Sequence, residues 1–302
     1  MAFDYVTVDV FTDTRFGGNP LAVFPDARGI DDVTMQRLAV EFNYSEITFV
    51  LPPQDSDHTA RVRIFTPAQE VPFAGHPNVG TGFVLGRQGV VFGKSVGDTM
   101  IFEEKSGLVE VKLLRRGGEV VESSIAAPNP LHVGGEVDLE TLSACTSLKT
   151  EDFNVSVHRP HFVSVGLQFV VAQLDGLKTL ASVRPNVTAY SEAKKKYPQP
   201  DGRFSIFLYV RTASGIDRLR ARMFATDTHE DPATGSASGA LAAYLAHIDP
   251  RRDMNSRIVI EQGVEMGRHS TISLDVRKSK NCIDRVSVSG QCVPVMRGTI
   301  EL

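Results

Sequence analysis

At 302 residues, 42% of them hydrophobic and with no low-complexity tract, the chain suits one large domain or two of about 150, each able to bury its own core. Its formal charge of -4 is spread along the sequence with no basic stripe, which argues against a nucleic-acid partner and for a small-molecule one. No apolar run reaches the ~18 residues needed to cross a bilayer and no signal-peptide pattern opens the chain, so no membrane partner and a cytoplasmic location are expected. Three cysteines, Cys145, Cys282 and Cys292, without C-x-x-C spacing fit reduced thiols.

In chain order, residues 5–11 alternate apolar and polar as a half-buried strand should, and Phe16-Gly-Gly-Asn-Pro20 turns into a second strand at 21–24. Asp31 or Asp32 can cap a helix whose apolar stripe is Met35, Leu38, Ala39 and Phe42. Glu46 then leads into a strand at 47–51, which places a carboxylate at a strand edge. Strands are expected at 99–103 and 108–114, and Arg115-Arg-Gly-Gly118 reads as part of the crossing to a second half. There the expected elements are strands at 162–165, 169–174 and 205–210, a helix around 187–196, and late strands at 257–261, 271–276 and 285–289. Strands outnumber helices, and two central helices read as buried.

The segment 61–80 recurs, altered, at 220–239. Arg63 matches Arg222, Phe65 matches Phe224, Pro72 matches Pro232 and Gly75 matches Gly235, with one residue more between Phe and Pro in the second copy. Each copy reads as a strand, a turn around Pro, and a Gly opening a run of small and apolar residues (78–85 and 237–245) suited to a buried helix. A helix start carries unpartnered N–H groups and the positive end of the dipole, so the duplication presents two anion-binding starts.

Matched positions keep different polar groups. The spacing from Ile47 to Phe65 equals that from Ile206 to Phe224, so Glu46 corresponds to Ser205. Anchoring on the prolines puts Val71 opposite Asp231 and His76 opposite Ser236. Such a scaffold suits proton transfer, with one face removing a proton while the other donates or stabilises, and backbone N–H groups holding a substrate carboxylate. Each group also has an ordinary role: a solvated strand-edge charge for Glu46, a helix-start hydrogen-bond partner for His76, an N-cap for Asp231. Other chemistries fit worse. Gly89-Val-Val-Phe-Gly-Lys-Ser95 is one residue short of a phosphate loop, Gly235-Ser-Ala-Ser-Gly239 has Ala237 where a nucleophile elbow needs serine, and the eight histidines show no metal-ligand spacing.

Gly18-Asn-Pro20, Ser45-Glu-Ile-Thr-Phe49, Arg63-Ile-Phe-Thr-Pro67, Pro72-Phe-Ala-Gly-His-Pro77, Glu230-Asp-Pro-Ala-Thr-Gly-Ser-Ala237 and Glu261-Gln-Gly-Val-Glu-Met-Gly-Arg268 together resemble the PhzF-like family of phenazine biosynthesis proteins, over nearly the whole chain. The resemblance implies an α+β, diaminopimelate epimerase-like fold: two similar domains, each a barrel-like, mostly antiparallel sheet around a central helix, with the active site in the cleft between them. The domains would be 1–117, with 292–302 returning to it, and 118–291. It implies a cofactor-independent isomerase similar to trans-2,3-dihydro-3-hydroxyanthranilate isomerase, with Glu46 as general acid/base and His76, Asp231 and Ser236 in support. Asn19, Gly75, Pro77, Gly235 and Ala237 would bind a small-molecule carboxylate substrate, with no metal. A homodimer is the default assembly. Related racemases use two cysteines at the helix starts, where this chain has His76 and Ser236, so a two-thiol mechanism does not fit. The departure from the family pattern is His269 after Arg268. Two other readings stay open: a non-catalytic metabolite-binding or protein-interaction member, and an epimerase lacking the cysteine pair.

Overall fold

The computed structural model describes residues 1–212 and 217–302, which fall into two compact units, Met1–Ala126 with Val288–Leu302, and Ala127–Ser287. In the first, the N-terminal alternation becomes β1 (Ala2–Val10), which pairs antiparallel with β2 (Asn19–Phe24). The strand begins earlier than expected, and Phe11 lies beyond it with a φ of 66°. Helix α1 (Asp32–Phe42) is capped by Asp31, whose carboxylate accepts from the Thr34 N–H at 2.8 Å; Met35, Leu38 and Ala39 are buried, and Phe42 packs partly buried against them.

Then come β3 (Glu46–Leu51), β4 (Ala60–Phe65), β5 (Glu70–Val71), α2 (Gly75–Gln88), a small hairpin of β6 (Val90–Val91) and β7 (Lys94–Ser95), β8 (Thr99–Glu104), β9 (Gly107–Arg116) and β10 (Glu119–Ala126). The rejected phosphate-loop segment is thus a hairpin. Residues 115–118, expected to cross to the second half, instead close the β9–β10 hairpin, with Gly117 and Gly118 both at positive φ. That is why the units divide after Ala126 rather than at 117.

The second unit holds β11 (His132–Glu136), α3 (Leu139–Thr146), β12 (His161–Ser164), β13 (Gln168–Gln173), α4 (Leu177–Ser182), α5 (Val187–Lys196), β14 (Ile206–Arg211), β15 (Arg218–Phe224), β16 (Glu230–Asp231), α6 (Gly235–Ile248), β17 (Met254–Gln262) and β18 (Ser270–Ser279). The last strand, β19 (Cys282–Glu301), absorbs the strand expected at 285–289 and runs on to pair antiparallel with β1, from Cys292 opposite Val10 to Glu301 opposite Ala2.

The duplication is written in the strand pairing. Within the first unit β2 is parallel to β3, β3 antiparallel to β4 with Ile47 opposite Phe65, β4 antiparallel to β5 with Phe65 opposite Glu70, and β4 parallel to β8. Within the second, β13 is parallel to β14, Ile206 lies opposite Phe224, Phe224 opposite Glu230, and β15 is parallel to β17. Helices α2 and α6 are the two buried ones. The first carries glycines at 75, 80, 82 and 86 and the second is rich in alanine, residues small enough to let a helix lie close against strands. Leu241 and Leu245 of α6 are fully buried and contribute about 1.5–3 kcal/mol each.

Candidate active site

In the first unit the turn from β1 into β2 passes through Gly18, at a φ of 62°, where an added Cβ would lie 2.3 Å from the Val10 carbonyl oxygen. Only glycine fits there, and it delivers the buried Asn19 to the start of β2. Asn19 Oδ1 accepts from the Ser45 hydroxyl at 3.1 Å, and Ser45 immediately precedes Glu46 at the start of β3. Glu46 keeps its side chain 21% exposed, and its Oε2 lies 3.4 Å from Nδ1 of His76, the second residue of α2.

His76 is itself only 5% exposed. Burial drives its pKa down to about 3, against a backbone hydrogen bond to Pro20 that works the other way. A carboxylate at 3.4 Å also favours the charged ring, but burial dominates, so the imidazole is neutral at pH 7 and the contact is not an ion pair. Nε2 is buried without a hydrogen-bond partner among the described residues, and Nδ1 is the ring nitrogen that faces Glu46. Helix α2 starts after Ala74, with no side-chain cap. Gly75 and His76 therefore offer first-turn N–H groups, whereas Pro77, expected among the substrate-binding residues, has none and serves to set φ.

In the second unit Asp231 ends β16 and is half-buried. It is not the N-cap of α6: that position is Thr234, whose hydroxyl donates to Asp231 Oδ2. Gln262, at the end of β17, bonds to both residues. Gly235 and Ala237 are buried in the first turn, and Ser236 between them is half-buried. All three carry N–H groups, and α6 likewise has no side-chain cap.

Each unit thus brings its own predicted residues together: Asn19, Glu46, Gly75 and His76 in one, Asp231, Gly235 and Ser236 in the other. Sequence reasoning missed Thr234 and Gln262 as partners of Asp231, although both lie in motifs already singled out, 230–237 and 261–268. A cavity of about 740 Å³ in the first unit lies elsewhere, lined by Gln54, Asp55, His58, Glu103, Glu104 and Leu108 among others. Its Glu103 is already held by the N–H groups of Gln54 and Asp55 at 2.7 and 2.8 Å and by His58 Nδ1 at 2.8 Å. The Glu46 carboxylate, partly exposed beside His76, is the better placed of the two for chemistry. Among the described residues no three His, Cys, Asp or Glu side chains converge as metal ligands, and no helix is long and apolar enough to cross a membrane.

The family described as phenazine biosynthesis-like protein matches residues 8–298. The chain is 38% identical to the trans-2,3-dihydro-3-hydroxyanthranilate isomerase of Pseudomonas aeruginosa, covering 99% of each chain. It is 36% identical to an uncharacterized isomerase of Mesorhizobium japonicum, covering 98% of each. A crystal structure of a Bacillus anthracis phenazine biosynthesis protein of the PhzF family superposes with a TM-score of 0.86 at 23% identity, over 100% of both chains, and shares the fold.

Proposed function

The chain belongs to the phenazine biosynthesis-like family, and from that premise we propose that it is an isomerase that moves a proton within a small carboxylic acid, without a cofactor, using Glu46 as general acid and base. The isomerase class rests on relatives that carry that name over nearly their whole length. The observation that carries the residue assignment is the Glu46–His76 contact: a carboxylate partly open to solvent, touched by a buried, neutral imidazole.

In this reading the Glu46 carboxylate takes a proton from a substrate carbon, the electron pair left behind delocalises into the adjoining unsaturated system, and the protonated Glu46 returns the proton to a different carbon. Net bonding changes by one C–H broken and one C–H formed. His76 orients the carboxylate, and the first-turn N–H groups of α2 and α6 hold the substrate's carboxylate. Ser236 donates a hydrogen bond to the developing enolate-like species, and Asp231 accepts from a substrate N–H or O–H. The substrate is of the dihydrohydroxyanthranilate kind, and the enzyme works as a cytoplasmic homodimer with no nucleic-acid partner.

The test is Glu46→Gln, assayed with trans-2,3-dihydro-3-hydroxyanthranilate and a panel of small carboxylic acids in D₂O. Turnover and solvent deuterium uptake should fall ~10²- to 10⁴-fold while the melting profile stays that of the parent. Full activity in the variant moves the base to Asp231 or His76.

A further inference from the structure

The turn that carries Asp231 is held by Gln262, which is fully buried. Its Oε1 accepts from the Thr234 N–H at 3.0 Å, and its Nε2 donates to the Asp231 carbonyl oxygen at 2.7 Å. A backbone N–H can only donate and a backbone carbonyl can only accept, so these two bonds fix which end of the amide is nitrogen. The remaining Nε2 hydrogen meets Thr234 Oγ1 at 3.0 Å. Thr234 Oγ1 is thereby an acceptor towards Gln262, and its own single proton goes to Asp231 Oδ2.

The surrounding turn is anchored from the same side. Ser270 Oγ donates to the Pro232 carbonyl at 2.8 Å. Gly263 has a φ of 72°, and a Cβ there would stand 2.6 Å from the Pro232 oxygen and 2.4 Å from that of Arg268. The other copy lacks this arrangement: the position before its helix-start glycine is Ala74 rather than Thr234, and Val71 stands in place of Asp231. The hydroxyl and the carboxylate are both present in one copy and both missing from the other.

We infer that Gln262 and Thr234 are positioning residues that lock a one-way hydrogen-bond relay onto Asp231, fixing the rotamer of its carboxylate and favouring its ionised form. A donor that cannot turn away stabilises the charged carboxylate over the neutral acid. Asp231 thus stays a fixed acceptor for a substrate N–H or O–H. Its part in the reaction rests on the function proposed above; the relay does not.

The experiment separates the two. Asp side chains are labelled with ¹³C at Cγ, the Asp231 resonance is assigned by its disappearance in Asp231→Asn, and its titration is followed in Thr234→Val, Thr234→Ser and Gln262→Glu. Thr234→Val keeps the shape and removes the hydroxyl, and should raise the Asp231 midpoint by about one pH unit, a tenfold gain in proton affinity. Thr234→Ser should titrate as the parent does. Gln262→Glu keeps an acceptor for the Thr234 N–H but loses the donors that orient the hydroxyl, and gives a second reading should Thr234→Val fold poorly. An unchanged midpoint in both Thr234→Val and Gln262→Glu overturns the relay. Full turnover in Asp231→Asn overturns the catalytic role of Asp231 while leaving the relay to stand on the titration.

Discussion

Glu104 and Gln262 hold the same place in the two copies of the repeat. Arg61 lies opposite Glu103 where β4 runs parallel to β8, and its counterpart Arg220 lies opposite Glu261 where β15 runs parallel to β17. The next residue is Glu104 in one copy and Gln262 in the other. Gln262 is fully hydrogen-bonded, whereas both carboxyl oxygens of Glu104 are buried without a well-formed hydrogen bond among the described residues. Burial pushes its pKa up to about 8, with the nearby Asn78 side chain only partly offsetting this. At neutral pH Glu104 is thus a carboxylic acid, a donor and acceptor standing where the other copy has an amide.

Glu104→Gln should therefore stabilise the protein, increasingly so at alkaline pH. The folded chain keeps the Glu104 proton up to about 8 while the unfolded chain releases it near 4.5, so stability falls as pH rises between those values and levels off above them. Urea denaturation across that range should show this slope in the parent and a flatter one in the variant, with a gain of about 1–3 kcal/mol on the alkaline side. Parallel curves for the two proteins would place the buried charge elsewhere.

His76 contributes on the opposite side of neutrality. Its folded pKa, about 3, lies below the ordinary 6.5, so as pH falls the unfolded chain takes up the proton first. The stability it provides is complete above 6.5 and is lost as pH falls towards 3. His76→Gln should flatten this acid-side decline in denaturation experiments. It should also lower kcat/KM roughly 10- to 100-fold, the effect of losing about 1.5–3 kcal/mol of polar contact to a charged group. An unaltered acid-side slope would exclude His76 as its source.

The duplicated frame was legible in the sequence because it rests on local chemistry: matched Arg, Phe, Pro and Gly positions, and a capping aspartate before α1. Glu46 and His76 were legible for the same reason, each standing at the edge of a periodic segment. The hairpin at 115–118 was misread because a pair of glycines marks a turn without saying whether the chain reverses or moves on. Thr234 and Gln262 stayed hidden as a pair because their contact depends on β15–β17 register across 28 residues, which no local period records. Pro77 entered with its motif, although a proline cannot supply the donor that its neighbours can.

The two copies should differ in what their shared arginine is worth. Arg222 binds both oxygens of Glu230, at 2.7 and 2.8 Å, and also donates to the Leu180 and Val183 carbonyls; it is 5% exposed. Arg63 binds Glu70 in the same two-pronged way, at 2.9 and 2.8 Å, but Glu70 has a second partner in Lys105 at 2.6 Å. Arg222→Met leaves a carboxylate and two carbonyls without this partner and should cost about 3–5 kcal/mol, whereas Arg63→Met should cost about 1–3. Urea midpoints measure both, and equal losses would mean that the carbonyl bonds of Arg222 carry no weight.

Gly18→Ala tests whether the β1–β2 turn reaches Glu46. The substitution forces a Cβ to 2.3 Å from the Val10 oxygen and 2.7 Å from Thr12 Cγ2, at a φ of 62° that side chains rarely adopt. The left-handed backbone costs about 1 kcal/mol and the clash about 1–3 more, so a loss of about 2–4 kcal/mol is expected. The strain has a defined route onward, since the turn delivers Asn19, Asn19 takes the Ser45 hydroxyl, and Ser45 adjoins Glu46. Activity should therefore drop more than stability alone explains, at a temperature where the variant is fully folded, and Ser45→Ala should reproduce part of that drop with little change in melting temperature. If Gly18→Ala melts early yet turns over normally when folded, the turn supports the strand and has no hold on the carboxylate.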